Sequence, residues 1–433
     1  MLNSFGIKNF KSYRDASLRL APLTVLIGAN ASGKSNAIEA LRLVSWIAQG
    51  NKLGSIRYAV QEADRSVRGK VADLGFRGSR FFTLACNTSY NEWNHFEITI
   101  DLRDDDELHI QDERLTGPTS SVPLYEVVSA SHGASSDIRV AYNNFARGGK
   151  KPQVTCNDQM AVLLQLKSSA RFETGHRKSQ TIIPELTGIF EKLLSDILFL
   201  DPQPFAMRYY SFKTDQRLSE SGKNLSGVLF NLCEEELEKD AVLEFIRSLP
   251  EQDIQTIDFI ETPRGEVMVK LTETFGRMNA EYDATLLSDG TLRVLSIAAA
   301  VLSAARNSLV VIEEIDNGVH PSRAEQLLSS ISRIAKQREL RVLISSHNPA
   351  LLDALPDDAV PDVVFCYRSP EDGSSQLTRL RDIPDYPELI AQGSVGHLMT
   401  QGLIERFVKT HPGPLERRRR ALEWLSSLSK ETA

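Results

Sequence analysis

The sequence predicts an α/β fold with a parallel core, an antiparallel β lobe and a helical insertion. An apolar run at 308–313, an amphipathic stretch at about 321–337 and a second apolar run at 340–346 form a strand–helix–strand unit. Such a unit implies two parallel strands joined by a right-handed crossover. Residues 81–110 alternate between apolar and polar types and are rich in Thr, Phe, Tyr and Ile, which is typical of antiparallel strands.

The remaining elements follow from the same periodicities. Short strand-like runs end in Leu23–Ile27, and after a glycine-bearing loop a helical pattern extends from Ser35 to about Ala48. Residues 111–160 are rich in Ser, Gly, Asn and charged types without a sustained period, which predicts loops. Helical patterns at 180–197 and 228–249 form the insertion. The expected domains are 1–160 (first lobe, with the glycine loop and antiparallel strands), 161–275 (mostly helical insertion), 276–370 (second lobe) and 371–433 (C-terminal helical extension).

The composition is that of an ordinary globular protein. The 433 residues suggest two or three domains, or one domain with large insertions, and 41% of them are hydrophobic and 25% charged. The net charge is −7, which excludes a chain that binds nucleic acid through its overall charge. Any contact with DNA would therefore need a local basic patch.

The same composition predicts a cytoplasmic protein that does not enter a membrane. The most apolar stretch, Val294–Ala305, covers about 12 residues between two arginines and is too short to span a bilayer. The first residues are typical of a strand and not of a signal peptide. The cysteines lie far apart without CxxC spacing, which indicates free thiols in a reducing compartment and no zinc site. They are Cys86, Cys156, Cys233 and Cys366.

A phosphate-binding loop is the first chemical signal. The segment Gly28–Ser35, GANASGKS, fits the pattern G-x-x-x-x-G-K-[ST] at every specified position. It follows an apolar strand and opens a helix, so backbone N–H groups and the helix N-terminus present positive charge to phosphates. In this pattern Lys34 neutralises the β- and γ-phosphates and Ser35 binds Mg²⁺.

Three acids at the end of a buried strand are the second signal. The segment LVVIEEIDNGVHP, 309–321, ends its apolar run in Glu313 and Glu314, with Asp316 close behind. Acids in this position repel each other unless a cation compensates their charge. With a phosphate loop upstream, Glu313 is expected to hold the Mg²⁺ shell and Glu314 to activate the attacking water. A solvated acidic turn is the alternative.

Two further segments are weaker signals by themselves. In LLSDGTLRVLSIAAAVL, 286–302, Ser288 is a good N-cap and Gly290 permits close backbone approach, so this helix start is a candidate second anion site. An ordinary helix cap would look the same. His347, at the end of the run RVLISSH, can donate to a γ-phosphate oxygen, although a lone histidine is more often structural.

Taken in order, the P-loop, LSDGT, IEEID and ISSH resemble the motifs of ATP-binding-cassette (ABC) ATPases, most of all those of the RecF/SMC/OLD-like branch. The motifs extend from residue 28 to residue 347. The resemblance implies a P-loop NTPase fold with an ABC-type head, ATP and Mg²⁺ as cofactors, and a homodimer or higher homo-oligomer that sandwiches the nucleotide.

The resemblance also implies roles for individual residues. Residues 287–291 would be the signature that contacts the γ-phosphate bound to the other subunit, and 317–321 would be the D-loop. Gln203 in FLDPQP is the best candidate for the glutamine that senses the γ-phosphate. The implied cofactor-binding residues are Gly28, Ala29, Asn30, Ala31, Ser32, Gly33, Lys34, Ser35, Asn36, Gln203, Ser288, Asp289 and Gly290. The implied metal ligands are Ser35 and Glu313, and the implied catalytic residues are Glu314 and His347.

The sequence departs from the family pattern at two positions. Glu313 stands where Asp is usual, so its carboxylate is one methylene further from the backbone. Asp289 stands where Gly is frequent, although SDGT is similar to the OLD-like subgroup. A carboxylate near a γ-phosphate is unfavourable unless it points away or is paired.

Spacing favours one part of this branch. Lys34 and Ser288 are 254 residues apart, which leaves room for an insertion unlike a compact transporter ATPase. No heptad run supports an SMC arm, and the residues after His347 carry no pattern of a fused TOPRIM nuclease. We therefore expect an ATPase switch of antiphage-defence type with a separately encoded effector, such as a nuclease. A RecF-like DNA-repair clamp and a regulatory scaffold with little turnover are the alternatives.

Basic segments leave DNA as a further candidate partner. The tail Pro414–Lys430 has the pattern of an amphipathic helix beside four arginines, and RGGKK occupies 147–151. A terminal helix packed on its own domain and solvated loops explain these segments equally well. Scattered basic residues that could join such a surface are Arg65, Arg68, Lys70, Arg77 and Arg80.

Overall fold

The computed structural model describes residues 1–56, 67–90, 92–103, 107–131, 135–235, 238–247, 253–275, 278–316, 321–409 and 419. The strands are β1 Leu2–Phe10, β2 Tyr13–Arg19, β3 Leu23–Ile27, β4 Phe81–Thr88, β5 His95–Leu102, β6 Leu108–Thr116, β7 Tyr125–Ser129, β8 Asp137–Tyr142, β9 Gln153–Asn157, β10 Leu198–Leu200, β11 Ser211–Phe212, β12 Asp253–Glu261, β13 Glu266–Phe275, β14 Met278–Asp283, β15 Leu309–Ile312, β16 Arg341–Ser345, β17 Val364–Arg368 and β18 Ser375–Arg379. The helices are α1 Lys34–Ala48, α2 Val162–Gln165, α3 Arg177–Ser195, α4 Pro204–Met207, α5 Leu225–Phe230, α6 Lys239–Ile246, α7 Asp289–Ser303, α8 Pro321–Gln337, α9 Pro349–Asp353, α10 Tyr386–Ile390, α11 Val395–Thr400 and α12 Leu403–Lys409.

The first sheet is antiparallel and has the order β2-β1-β4-β5-β6-β7-β8-β9. Its strands bury alternate residues, as a sheet with one face on the core should. Helices α1 and α3 pack on that face, where Phe96 of β5 lies 6.2 Å from Phe190 of α3 between ring centroids. Strands β7, β8 and β9 correct the expectation of loops at 111–160. Each has only five or six residues, too few for the alternation to stand out in a polar segment.

The second sheet is the parallel core and has the order β10-β15-β16-β3-β17-β18, in which only β18 is antiparallel to its neighbour. All residues of β3 and β15 are buried, which is why both appear in the sequence as uninterrupted apolar runs. The predicted strand–helix–strand unit is confirmed as β15, α8 and β16. Because these strands are parallel, the phosphate loop, the acids and His347 all follow strand ends at the same edge of the sheet.

The third sheet adds strands to the segment 161–275, which the sequence predicts to be mostly helical. Strands β12 and β13 form a long antiparallel hairpin within it, and β11 and β14 also pair with β13. Val267, Val269 and Leu271 are fully buried at every second position, which is a strand period, and Met268 is buried as well. The described part of this segment also contains helices α2 to α6. The predicted fold class, an α/β structure with an antiparallel lobe and a parallel core, is confirmed.

The C-terminal segment contains β18 and then three short helices, α10 to α12, between Tyr386 and Lys409. The basic tail Pro414–Lys430 lies outside them except for Arg419. Within the described ranges, no helix combines the length and the apolar character that a bilayer crossing requires.

Candidate functional site

The loop after β3 has the backbone that its glycines predict. Gly28 has φ +144° and Gly33 has φ +123°, both in the region that favours glycine. A Cβ at Gly28 would lie 2.2 Å from the Cys366 carbonyl oxygen, and one at Gly33 would lie 2.3 Å from Ser375 Oγ. Any side chain at either position would therefore have to displace β17 or β18.

A set of hydroxyl groups supports the loop from beneath. Ser375 Oγ donates to the Ser32 carbonyl at 2.5 Å, and Tyr13 donates to the Gly33 carbonyl at 3.0 Å. Asn36 Nδ2 donates to Ser12 Oγ at 2.7 Å. These contacts come from β2, β18 and the turn before β2, so the antiparallel lobe helps to hold the loop in shape.

Lys34 lies folded against the loop. Its Nζ donates to the Gly28 carbonyl at 2.6 Å and to the Ala29 carbonyl at 3.1 Å. Burial lowers the pKa of Lys34 from its ordinary value. A bound phosphate would supply the opposite charge that offsets this cost, so the ammonium group is well placed to exchange loop carbonyls for phosphate oxygens.

The backbone amides of the acids after β15 donate hydrogen bonds to the neighbouring strands β10 and β16. The Glu313 amide donates to the Leu200 carbonyl at 2.9 Å, and the Glu314 amide donates to Ser345 Oγ at 3.1 Å. Glu314 has φ +48°, a left-handed conformation that is uncommon for a residue other than glycine. This sharp turn at the end of the strand directs two consecutive acids to different positions.

His347 follows β16 and lies beside an acid from the adjacent turn. Its Nδ1 lies 3.4 Å from Asp316 Oδ2, and the Asp316 side chain is buried whereas the imidazole is exposed. A carboxylate on one ring nitrogen leaves the other nitrogen for a ligand. The predicted D-loop, Asn317–Pro321, falls almost wholly on residues 317–320, which lie outside the described residues.

A cavity of about 410 Å³ joins these elements. Its volume is in the range of small-molecule sites. The predicted site residues that line it are Asn30, Ala31, Ser32, Gly33, Lys34, Ser35, Asn36, Glu313, Glu314 and His347. Gly28 and Ala29 contribute the carbonyls that hold Lys34.

The cavity is also lined by a basic residue that the sequence predicts for a different surface. Arg68, considered there for a DNA-facing surface, lines the cavity and pairs with Glu39 of α1, as does Lys11. Glu39 is buried and thus anchors two cations beside the loop. Residues 37–45 of α1 are all buried, so helical spacing does not single out Glu39, and its partners could not be inferred from the sequence. Arg368 also lines the cavity, and its Nε donates to the Ala31 carbonyl at 3.0 Å.

The signature residues stand apart from this cavity. Ser288 caps α7 by accepting from the Thr291 amide at 3.1 Å, and both Ser288 and Asp289 are exposed. Asp289 is paired: Arg208 donates to its Oδ1 at 2.7 Å and to the Leu287 carbonyl at 3.0 Å. The guanidinium of Arg208 thus balances the negative charge of the Asp289 carboxylate. This pairing compensates the charge that would otherwise be unfavourable near a phosphate.

Gln203 follows β10, the strand beside β15. It is exposed, precedes α4, and its backbone amide donates to the Ser221 carbonyl at 3.0 Å. It therefore lies at the same edge of the parallel sheet as the acids but is not among the residues that line the cavity. Arg208, on the other side of α4, connects the Gln203 segment to the start of α7.

The donor set at the cavity fits Mg²⁺ only together with a nucleotide. Among the described residues no group of three or more His, Cys, Asp or Glu side chains could hold a metal ion alone. Ser35 and Glu313 both line the cavity, and Mg²⁺ is usually bound by one or two protein groups, waters and substrate phosphates. Ser35 and Glu313 are therefore the residues that would hold it.

Two protein-family models match the chain. One, described as "AAA domain, putative AbiEii toxin, Type IV TA system", matches residues 168–353, and the other, described as "AAA ATPase domain", matches residues 1–136. The second match contains the phosphate loop, and the first contains the acids and His347. No curated protein matches the chain.

The chain is also distantly similar in structure to solved SMC heads. An Smc head bound to the C-winged helix domain of ScpA is 13% identical with a TM-score of 0.47, and the match covers 87% of this chain and 96% of that one. The SMC head domain from Thermotoga maritima is 14% identical, with a TM-score of 0.42 and coverage of 87% and 98%. An Smc head with an extended coiled coil, bound to the C-terminal domain of ScpA derived from Pyrococcus furiosus, is 11% identical, with a TM-score of 0.41 and coverage of 94% and 99%. Both family models describe AAA domains, so the chain is similar to AAA ATPase domains over residues 1–136 and 168–353.

Proposed function

We propose that this protein binds ATP with Mg²⁺ and hydrolyses it to ADP and phosphate. The observation that carries the proposal is the single cavity in which the P-loop, Glu313, Glu314 and His347 meet. These residues come from three strands of one parallel sheet, and their shared edge is where α/β folds bind ligands.

Each part of the cavity has a separate task in this reaction. The loop amides and Lys34 would bind the phosphates, and Ser35 and Glu313 would hold Mg²⁺, which would supply positive charge beside them. Glu314 accepts a proton from the attacking water. His347, oriented by Asp316, donates to the γ-phosphate.

ATP hydrolysis should depend on both the metal and the loop lysine. We expect phosphate release in Mg²⁺ to fall to background in EDTA, and the Lys34→Ala variant to lose activity at least about 100-fold because the phosphates lose their cation. Phosphate release by the purified chain measures this, with the exposed Lys178→Ala change on α3 as the control. If Lys34→Ala hydrolysed ATP like the wild type, this cavity would not be the site.

The site acts in a dimer. Ser288 and Gly290 lie at the start of α7, outside the cavity of their own chain, and Ser288 is exposed. An exposed helix N-terminus can bind an anion, here a phosphate that is bound to a second copy of the chain. Two copies that close on two nucleotides would therefore complete each other's site, and hydrolysis would open them.

The cellular role that we propose is a switch in antiphage defence with a separate effector, such as a nuclease. The family model that matches residues 168–353 is described with a toxin of a toxin–antitoxin system, which favours this role over DNA repair. We expect cells that express the chain with its neighbouring genes to form fewer plaques, and the Lys34→Ala variant to abolish the difference. Unchanged plaque numbers with DNA-stimulated turnover would favour a RecF-like clamp instead, and no turnover at all would favour a scaffold.

A further inference from the structure

A buried arginine joins the phosphate-loop helix to the acid after β15. Arg42 lies on α1, eight residues after Lys34, and only 9% of its side chain is exposed. Its NH2 group lies 2.5 Å from Glu313 Oε1, and its NH1 group lies 2.5 Å from Glu220 Oε1. The guanidinium also stacks over Phe199 of β10, 4.6 Å from the ring centroid.

The surroundings make this position of Arg42 a fixed one. The Glu220 carbonyl accepts from the Asp201 amide at 2.9 Å, so the end of β10 holds the segment that carries Glu220. The Glu313 amide is bonded to Leu200 of the same strand. Arg42 therefore contacts an aromatic ring of β10 and two acids. The backbone of each acid is hydrogen-bonded at the end of β10. A guanidinium presents a planar fork of donors, which suits it to two carboxylates at once.

Glu313 needs such support more than a shorter acid would. Its extra methylene adds a rotatable bond, and its carboxylate lines the nucleotide cavity. The ion pair with Arg42 occupies Oε1 and leaves Oε2 for a metal ion or a metal-bound water. Glu220 supplies a second negative charge beside Arg42. The guanidinium therefore stays paired when the Glu313 carboxylate also binds a cation.

We propose that Arg42 is a positioning residue for Mg²⁺–nucleotide binding, which fixes the Glu313 carboxylate, and that Glu220 keeps Arg42 paired while Glu313 engages the metal. This rests on the proposed function, since it assumes that the cavity binds ATP with Mg²⁺. Groups that orient a metal ligand typically change metal affinity by about 10- to 100-fold when removed.

Titration with the fluorescent analogue MANT-ATP, in EDTA and in Mg²⁺, separates this role from a merely structural one. For Arg42→Met we expect affinity in EDTA within about twofold of the wild type, but at least about a tenfold loss in Mg²⁺ and a higher Mg²⁺ concentration for half-saturation. Arg42→Lys, which keeps the charge but can reach only one acid, should lie between. Glu220→Gln should weaken Mg²⁺-dependent binding less than Arg42→Met does.

The matched control is Arg333→Met on α8, which removes an exposed ion pair with Glu244 of α6. Equal losses in EDTA and in Mg²⁺ for Arg42→Lys, or no loss in either, would overturn the proposal. Should Arg42→Met fail to fold, as circular dichroism would reveal, Arg42→Lys decides the question. A wild-type chain that bound no MANT-ATP in either condition would overturn the proposed function and, with it, this inference.

Discussion

The Glu314→Gln variant should bind ATP like the wild type but hydrolyse it at least about 100-fold more slowly. Glutamine has nearly the same shape as glutamate and cannot accept the proton of the attacking water. Glu314 lies in a left-handed turn, and its amide donates to Ser345 Oγ. The substitution changes only the side chain, so this hydrogen bond is retained. Because hydrolysis opens the proposed dimer, the variant should also accumulate as an ATP-bound dimer.

Two measurements check this expectation. Phosphate release gives the turnover, and size-exclusion chromatography with light scattering, with and without ATP, gives the mass. Glu325→Gln is a suitable control because Glu325 is an exposed acid on α8, outside the residues that line the cavity. Unchanged turnover in Glu314→Gln would show that another group activates the water.

Mixing two inactive variants should restore part of the activity if each site is shared between two copies. A Lys34→Ala chain keeps Ser288, and a Ser288→Arg chain keeps its phosphate loop. In a mixed dimer the two defects fall in one composite site and the other site is intact. Random pairing of equal amounts should therefore recover up to about a quarter of wild-type phosphate release, since half of the dimers are mixed and each has one good site.

The control mixes two defects from the same half of a composite site. Lys34 and Glu314 line the cavity of one chain, so a Lys34→Ala chain mixed with a Glu314→Gln chain leaves every site with one defect. No recovery is expected there. If neither mixture recovered activity while both variants still formed dimers, the signature residues would not act across the interface.

The site illustrates how far local sequence determines chemistry. Eight consecutive residues specify the phosphate loop, because its glycine conformations, its amides and its lysine all belong to one turn between a strand and a helix. Glu313, Glu314 and His347 were predicted to act with that loop from the order of the motifs, and the structure brings them to one cavity because parallel strands end at one edge of a sheet. Gln203, by contrast, lies at the same edge without lining the cavity.

Partners that are distant in sequence were not predictable in this way. Arg42 and Glu313 are 271 residues apart, and Arg208 and Asp289 are 81 residues apart. The first pair depends on α1 lying beside β10 and β15, and the second on α4 lying beside the start of α7. Short polar strands such as β7 to β9 were missed because neighbouring strands, and not their own period, stabilise them.

The sequence by itself thus determined the class of fold, the conformation of the glycine loop and the acids at the end of β15, because these depend on residues adjacent along the chain or on a single βαβ unit. Only the tertiary structure decided how the two unusual acids are accommodated. Arg208 pairs with Asp289, and Arg42 pairs with Glu313. A carboxylate in a folded protein is stabilised by a nearby positive charge, and the packing of helices and strands decides which residue supplies that charge.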